Sequence, residues 1–114
     1  MNYLMSTTPI PQPNQITQGY HRAIIKKNRD EIISLALKYG AYNIRICGSV
    51  ARGEDTENSD IDLLVDMEQG RSLLSLGSLL MDLQDLLGCK VDILTEKSLK
   101  NRVREQVMRD VIPL

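Results

Sequence analysis

One stretch of the sequence decides the fold, GSVARGEDTENSDIDLLV at residues 48–65. It follows residues 43–47, where apolar and polar side chains alternate, a pattern that predicts a strand entering a turn at the Gly-Ser pair. Residues 54–59 are polar and indicate a loop, whereas residues 61–65 are nearly all apolar, which is typical of a strand covered on both faces. The stretch therefore predicts two strands connected by a short helix and a loop.

Helices are predicted on either side of these strands. Residues 21–39 place apolar side chains at spacings of three, four and seven, and Gly40 follows where a helix needs a left-handed cap. Residues 73–87 are leucine-rich at helical spacing and end at Gly88. Residues 90–94 predict a third strand, and residues 98–111 predict a closing helix. Helices that alternate with short strands predict an α/β (α+β) fold, a small mixed sheet with helices packed on it.

Composition limits the class of protein. The chain has 114 residues, with 14 Lys or Arg against 15 Asp or Glu, a size that allows one domain and a charge that gives no strong nucleic-acid signal. No apolar run is long enough to span a bilayer and the N-terminus has no export signal, so we expect a cytoplasmic protein that contacts no membrane. Residues 1–19 are rich in proline and polar residues and predict a flexible tail, which leaves residues 20–114 as the domain.

Three aspartates form the candidate metal site. Asp60 and Asp62 stand two residues apart at the start of a strand, where a period of two points both carboxylates to the same face. Two adjacent acids repel each other, so the pair is either solvated at the strand edge or a site for a hard divalent metal. Asp92 lies between apolar neighbours in the third strand, where an unpaired carboxylate is costly to bury. A neighbouring strand that carries Asp92 beside the pair would complete a cage of three carboxylates.

The Gly-Ser turn is the candidate phosphate site. Gly48 lets the backbone approach a ligand without a Cβ in the way, and the N–H groups and hydroxyl that begin with Ser49 can hold phosphate oxygens. Arg52 could add a charge-assisted contact to the same phosphates. A Gly-Ser turn alone is most often an ordinary turn, and an Asp-x-Asp pair alone is most often solvated. Their combination in this order, with a third acid downstream, is specific.

The remaining chemistry-bearing residues are expected to be structural or solvated. His21 opens the first helix and is expected at the surface or as a cap. Cys47 and Cys89 are expected as buried thiols at strand positions. The basic residues of the closing helix predict a solvated face, or alternatively a contact surface for an acidic partner or nucleotide. The leucine-rich helix is mostly core, although its apolar band is wide enough to leave a stripe for a partner or a second copy.

This pattern closely resembles that of the polymerase-β-like nucleotidyltransferase superfamily, and within it the chain looks like the minimal nucleotidyltransferases, which are little more than the catalytic core. The resemblance implies a nucleotidyltransferase fold in which Asp60, Asp62 and Asp92 ligate two Mg²⁺ ions. Gly48 and Ser49 would hold the β- and γ-phosphates of ATP. Asp92 would also orient or deprotonate the attacking hydroxyl, and pyrophosphate would leave.

The resemblance also implies a partner. The short chain leaves no room for a domain that binds the acceptor, so we expect another molecule to present it. Minimal nucleotidyltransferases are typically paired with a small helical HEPN ribonuclease toxin and act as its type VII-like antitoxin, in a complex that can be oligomeric, by transferring AMP from ATP to a tyrosine hydroxyl. Two alternatives stay open: a binding-only antitoxin that occludes the toxin, and nucleotidyl transfer to another acceptor such as RNA or a small hydroxyl compound.

Overall fold

A four-stranded sheet stands at the centre of the computed structural model, which describes residues 19–114. The strands are β1 (Ala41–Cys47), β2 (Ile61–Met67), β3 (Val91–Leu94) and β4 (Ile112–Pro113), in the spatial order β3-β2-β1-β4. β1 runs antiparallel to β2 and β4, whereas β2 and β3 run parallel, so the sheet is mixed as predicted. The predicted tail, residues 1–19, lies outside the described residues except for Gly19.

Five α-helices accompany the sheet in the described part of the chain. They are α1 (Arg22–Lys27), α2 (Arg29–Lys38), α3 (Gly48–Arg52), α4 (Leu73–Leu87) and α5 (Asn101–Asp110). α4 has the predicted bounds because Gly88, in a left-handed conformation with φ of 67°, ends it. Between residues 19 and 114, no helix combines the length and the apolarity needed to cross a membrane.

The core lies between the sheet and the helices. Ile61, Leu63 and Leu64 of β2 have no exposed surface, as predicted for a strand covered on both faces. Six side chains of α1, α2 and α4 belong to the same buried cluster: Ile25, Ile32, Ala36, Leu79, Leu83 and Leu87. Burial of each large aliphatic side chain contributes roughly 1.5–3 kcal/mol. The buried side chains of β2 anchor this strand in the core, which fixes the position of Asp60 and Asp62 at its beginning.

The predicted first helix is broken into two. α1 ends at Lys27 and α2 begins at Arg29, because Asn28 between them leaves the helical conformation with φ −104° and ψ 16°. The side-chain amide of Asn28 donates a hydrogen bond of 2.9 Å to the carbonyl oxygen of Ile24. An asparagine side chain that bonds the backbone locally competes with the regular helix, which explains the break.

The end of the chain also differs from the prediction of one helix over residues 98–111. Residues Glu96–Ser98 form a 3₁₀ turn, Lys100 is extended with ψ of 151°, and α5 begins only at Asn101. The short strand β4 pairs with Arg45 and Ile46 of β1 and is not predicted. Two residues are too few to show alternation, and a proline is tolerated in a strand at the edge of a sheet because no N–H is required there.

The observed strands differ slightly in length from the predicted ones. β1 begins at Ala41 rather than at residue 43, because an irregularity between Tyr42 and Arg45, with Asn43 at φ 51°, interrupts the alternation there. β2 continues past the predicted residue 65 to Met67, and β3 begins at Val91. Cys89, expected as a buried strand residue, precedes β3 and is only half-buried.

Candidate functional site

The sheet register brings the predicted acids together. Asp62 of β2 is the register partner of Asp92 on the parallel strand β3 and of Cys47 on the antiparallel strand β1. Asp60 directly precedes β2. The three acids therefore share one end of the β2–β3 pair, as the sequence predicted for a neighbouring strand that carries Asp92.

The three carboxylates affect one another electrostatically. Burial, followed by the negative charges of Asp92 and Asp60, raises the pKa of Asp62 to about 6, and the positive charge of Arg52 acts in the opposite direction. A raised pKa means that the ionised form of Asp62 is destabilised by its surroundings. A cation bound beside the three acids, at this end of β2 and β3, would stabilise the ionised form.

Asp92 is not buried, contrary to the expectation from its apolar neighbours. Its side chain is exposed because β3 is the edge strand of the sheet, whereas Val91 next to it is buried. The penalty for burying an unpaired carboxylate therefore does not apply to Asp92. Its exposure instead leaves this acid accessible to a molecule that approaches from solvent.

The oxygen donors fit a hard divalent cation such as Mg²⁺, which prefers carboxylates to nitrogen or sulfur. The repulsion that raises the pKa of Asp62 is the second feature of the site that fits such a cation. In residues 19–114, however, no three His, Cys, Asp or Glu side chains already converge enough to enclose an ion by themselves. The structure therefore shows the three acids near one another at one end of β2 and β3, but not a closed cage around an ion.

Gly48 lies against Asp62. It has a φ of 69° and begins α3, and a Cβ at this position would collide with the Asp62 carboxylate, 3.3 Å from its Cγ atom. Glycine is therefore needed both for the backbone conformation and for the close approach. Ser49 follows at the start of the same short helix, whose Val50 is fully buried and fixes the turn to the core. The predicted phosphate turn and the acids are thus direct neighbours.

Arg52 bonds other residues of the protein. Its Nε donates a 2.8 Å hydrogen bond to Glu54, and its Nη1 lies 3.5 Å from the Asp110 carboxylate at the end of α5. These contacts connect α3 to α5. The guanidinium nevertheless stays close enough to the acids to oppose the rise in the pKa of Asp62.

Cys47 completes the surroundings of Asp62 as an unreactive thiol. It is buried, as predicted, and its Sγ donates a long hydrogen bond of 3.5 Å to the backbone carbonyl of Asp62. Burial, together with the negative charges of Asp62 and Asp92, raises the pKa of Cys47 to about 12. The thiol therefore stays protonated and packs rather than reacts.

The sequence analysis missed a buried pair formed by His21 and Asp55. His21 is 1% exposed and Asp55 is 7% exposed, so His21 does not lie at the surface. It does occupy the N-cap position of α1, the other position expected for it, although its side chain makes no capping hydrogen bond. The Oδ2 atom of Asp55 accepts hydrogen bonds from the backbone N–H of His21 at 2.7 Å and of Tyr20 at 3.1 Å, and lies 2.7 Å from the Nδ1 atom of His21. This pair ties the start of α1 to the loop that leads from α3 to Asp60. No local pattern signals it, because the two residues are 34 positions apart.

Known proteins resemble this chain in sequence and in fold. The model of the nucleotidyltransferase domain family matches residues 20–114. The protein adenylyltransferase MntA of Thermococcus cleftensis is 41% identical over 75 residues, which cover 66% of this chain and 78% of that protein. The candidate protein adenylyltransferase MJ0435 of Methanocaldococcus jannaschii is 38% identical over 88 residues, which cover 77% of this chain and 95% of that protein.

Solved structures extend the likeness to the fold. The structure of a candidate minimal nucleotidyltransferase has a TM-score of 0.73 at 48% identity and covers 81% of this chain and 94% of that chain. The crystal structure of a toxin-antitoxin with AMP-PNP has a TM-score of 0.64 at 25% identity and covers 75% of this chain and 71% of that chain. The predicted fold is confirmed.

Proposed function

The chain belongs to the nucleotidyltransferase domain family, and we propose that it is a Mg²⁺-dependent protein adenylyltransferase that acts as an antitoxin in the cytoplasm. In this proposal it transfers AMP from ATP to a tyrosine hydroxyl of a cognate HEPN ribonuclease toxin and so neutralises the toxin. The observation that carries the proposal is the placement of Asp60, Asp62 and Asp92 at one edge of the sheet, with Gly48 against Asp62. The names of the relatives, protein adenylyltransferase and toxin-antitoxin, support the acceptor class and the partner.

Each part of the site has a role in this chemistry. Asp60, Asp62 and Asp92 would hold two Mg²⁺ ions, which when bound supply charge neutralisation at the phosphates and orient the attacking and leaving oxygens. Gly48 and Ser49 hold the β- and γ-phosphates, since the backbone comes close to the acids only where no Cβ intervenes.

The transfer is an in-line displacement. The acceptor oxygen forms a bond to the α-phosphorus while the bond from that phosphorus to the bridging oxygen breaks, and pyrophosphate leaves with the bonding electrons. The proton of the hydroxyl passes to the exposed carboxylate of Asp92 and from there to solvent. Arg52, held by Glu54 and Asp110, contributes positive charge beside the phosphates.

Co-purification with the toxin tests this function. We expect mass spectrometry to find AMP groups on a toxin tyrosine after incubation of the pair with ATP and Mg²⁺. The double variant Asp60→Asn/Asp62→Asn should lose transfer by several orders of magnitude. Asp30→Asn serves as the matched control, because the side chain of Asp30 is 99% exposed and lies on α2, away from the strands that carry the acids.

Neutralisation in cells separates the enzyme from a binding-only antitoxin. If AMP transfer is the mechanism, cells that produce the toxin grow with the parent and with Asp30→Asn but not with the double variant. Growth with the double variant equal to that with the parent would instead support occlusion of the toxin.

A further inference from the structure

β2 holds Asp60 from one side, and a loop leads to it from the other. β2 begins at Ile61, and residues 53–60, which we call the connecting loop, lead from the end of α3 to this strand. Asp55 is buried, whereas the other residues of the connecting loop are exposed or half-buried. The place of the Asp60 carboxylate therefore depends both on the strand after it and on the connecting loop before it.

Asp55 attaches the connecting loop to the start of α1. Its Oδ2 atom accepts hydrogen bonds from the backbone N–H groups of Tyr20 and His21, and it lies 2.7 Å from the Nδ1 atom of His21. Within residues 19–114, the other hydrogen bonds of the connecting loop stay inside it or go to α3. The N–H groups at the start of a helix have no partner in the helix itself, so a carboxylate that accepts from them is held strongly.

The carboxylate of Asp55 is enclosed on both sides. Its Oδ1 atom is buried and has no hydrogen-bond partner among residues 19–114. Gly19, with φ of 69°, lies against it, and a Cβ on this glycine would stand only 2.8 Å from the Cγ atom of Asp55. With Oδ1 enclosed and Oδ2 already occupied, Asp55 is not itself available as a metal ligand. Any effect of Asp55 on a bound ion therefore acts through the chain.

A closed turn connects Asp55 to Asp60. The backbone N–H of Thr56 donates a hydrogen bond of 2.9 Å to the Oγ atom of Ser59, and the backbone N–H of Ser59 donates one of 3.0 Å to the carbonyl oxygen of Thr56. These two bonds close residues 56–59 into one unit. A displacement of Asp55 is therefore passed on to Asp60 rather than absorbed by the loop.

Arg22 makes a second contact between α1 and this part of the chain. Its Nη2 atom donates a hydrogen bond of 3.3 Å to the carbonyl oxygen of Ala51 in α3. The first residues of α1 thus hold the chain both at the end of α3 and at Asp55. This arrangement fixes the connecting loop relative to the short helix that begins with Gly48.

We propose that Asp55, held by His21 and the start of α1, is a positioning residue that sets the place of the Asp60 carboxylate for metal binding. This inference rests on the proposed function, in which Asp60 is a metal ligand. Loss of a group that orients a metal ligand typically weakens metal binding about 10- to 100-fold. We therefore expect the affinity for a divalent cation to depend on Asp55, although Asp55 does not contact the cation.

Binding of Mn²⁺ alone to the full chain tests the proposal. Mn²⁺ takes oxygen ligands as Mg²⁺ does, and the electron paramagnetic resonance signal of free Mn²⁺ gives its dissociation constant. Asp55→Ala removes the attachment of the loop, and Gly19→Ala displaces it while it keeps every side chain of the pair. Each should raise the dissociation constant about tenfold or more.

Two further variants separate position from charge and from stability. Asp55→Asn should stay within about threefold of the parent, because an amide oxygen can accept the same two backbone hydrogen bonds although the charge is gone. Asp66→Ala is the matched control for stability. It breaks the 2.8 Å ion pair with Arg45 near the other end of β2, so it should lower the melting temperature without changing the dissociation constant. All variants are measured at a temperature where their melting curves show folded protein, and Gly19→Ala decides if Asp55→Ala does not fold.

The possible outcomes are distinct. Parent-like Mn²⁺ binding by both Asp55→Ala and Gly19→Ala would overturn the proposal. An equal loss in Asp66→Ala would overturn it as well, because stability would then control binding, and so would an equal loss in Asp55→Asn, because charge would then control it. These results would leave the proposed function intact. A parent that binds no Mn²⁺ would instead contradict the metal site of the proposed function, and the positioning role with it.

Discussion

Replacing Asp62 by asparagine should make the metal-free protein more stable while it abolishes transfer. The carboxylate of Asp62 is half-buried beside Asp92, and its pKa is raised to about 6 by burial and by the charges of Asp92 and Asp60. Asparagine has the same shape without the charge, and its amide can donate a hydrogen bond to a neighbouring carboxylate. Under the proposed function, the ionised Asp62 lowers the stability of the metal-free protein and provides a ligand for the cation.

The size of the stability gain expected for Asp62→Asn follows from the raised pKa of Asp62. A rise from the ordinary value of 3.8 to about 6 corresponds to ~3 kcal/mol for a fully shielded group. Because Asp62 is only half-buried, solvent screening reduces this to about 1–2 kcal/mol. For a domain of this size that is a rise in melting temperature of roughly 5–10 °C.

The stability gain from Asp62→Asn should increase as the pH rises. A raised pKa means that the folded protein resists ionisation of Asp62, so the penalty is absent where both states are protonated, grows between about pH 4 and pH 6, and is complete above that. The gain from Asp62→Asn should follow the same curve in a chelating buffer without divalent cations. Mg²⁺ should stabilise the parent more than the variant, since binding to the folded state raises stability.

Asp66→Asn is the matched control on the same strand. Asp66 bonds Arg45 at 2.8 Å and Asn43 at 2.9 Å, so its loss should lower the melting temperature. A metal-free Asp62→Asn protein that melts below the parent at pH 7.5, or one whose gain is the same at pH 4 and pH 7.5, would refute the reasoning.

Three further substitutions test other parts of the site. Gly48→Ala should lower stability by about 1–3 kcal/mol in urea denaturation and abolish transfer, because alanine resists the left-handed conformation and its Cβ meets the Asp62 carboxylate; full activity would contradict this. Asp92→Asn should abolish transfer with unchanged melting temperature and measurable ATP binding, since Asp92 is exposed; near-normal transfer would remove Asp92 from the site. Asp55→Ala should cost about 2–4 kcal/mol in the same denaturation assay, because His21 loses a buried partner; a cost below about 1 kcal/mol would contradict a structural role.

The parts of the fold that the sequence predicted well are those with local signals. α4 has its predicted bounds because Gly88 stops it, and β2 was predicted from its run of apolar residues. The Gly-Ser turn and the nearby acids follow from short spacings, so Gly48 and Asp62 were predicted as candidate site residues. Their direct contact was not predicted and is seen only in the structure.

The missed features depend on partners distant in the sequence or on irregular geometry. β4 exists only because β1 offers its edge, and the His21–Asp55 pair spans 34 positions. The break at Asn28 results from a side-chain hydrogen bond that competes with the helix, which periodicity does not detect. The exposure of Asp92 follows from the position of β3 at the edge of the sheet, and strand order is not readable from a single strand.

The most direct test of the central claim is to measure which phosphate of ATP is transferred to the toxin. The purified protein and its toxin are incubated with Mg²⁺ and ATP labelled either at the α-phosphate or at the γ-phosphate, and the label on the toxin is counted. If the three acids and the glycine turn transfer AMP as proposed, only the α-label appears on the toxin, and it disappears with Asp60→Asn/Asp62→Asn. Transfer of the γ-label would contradict the account, since it would mean phosphoryl rather than nucleotidyl transfer.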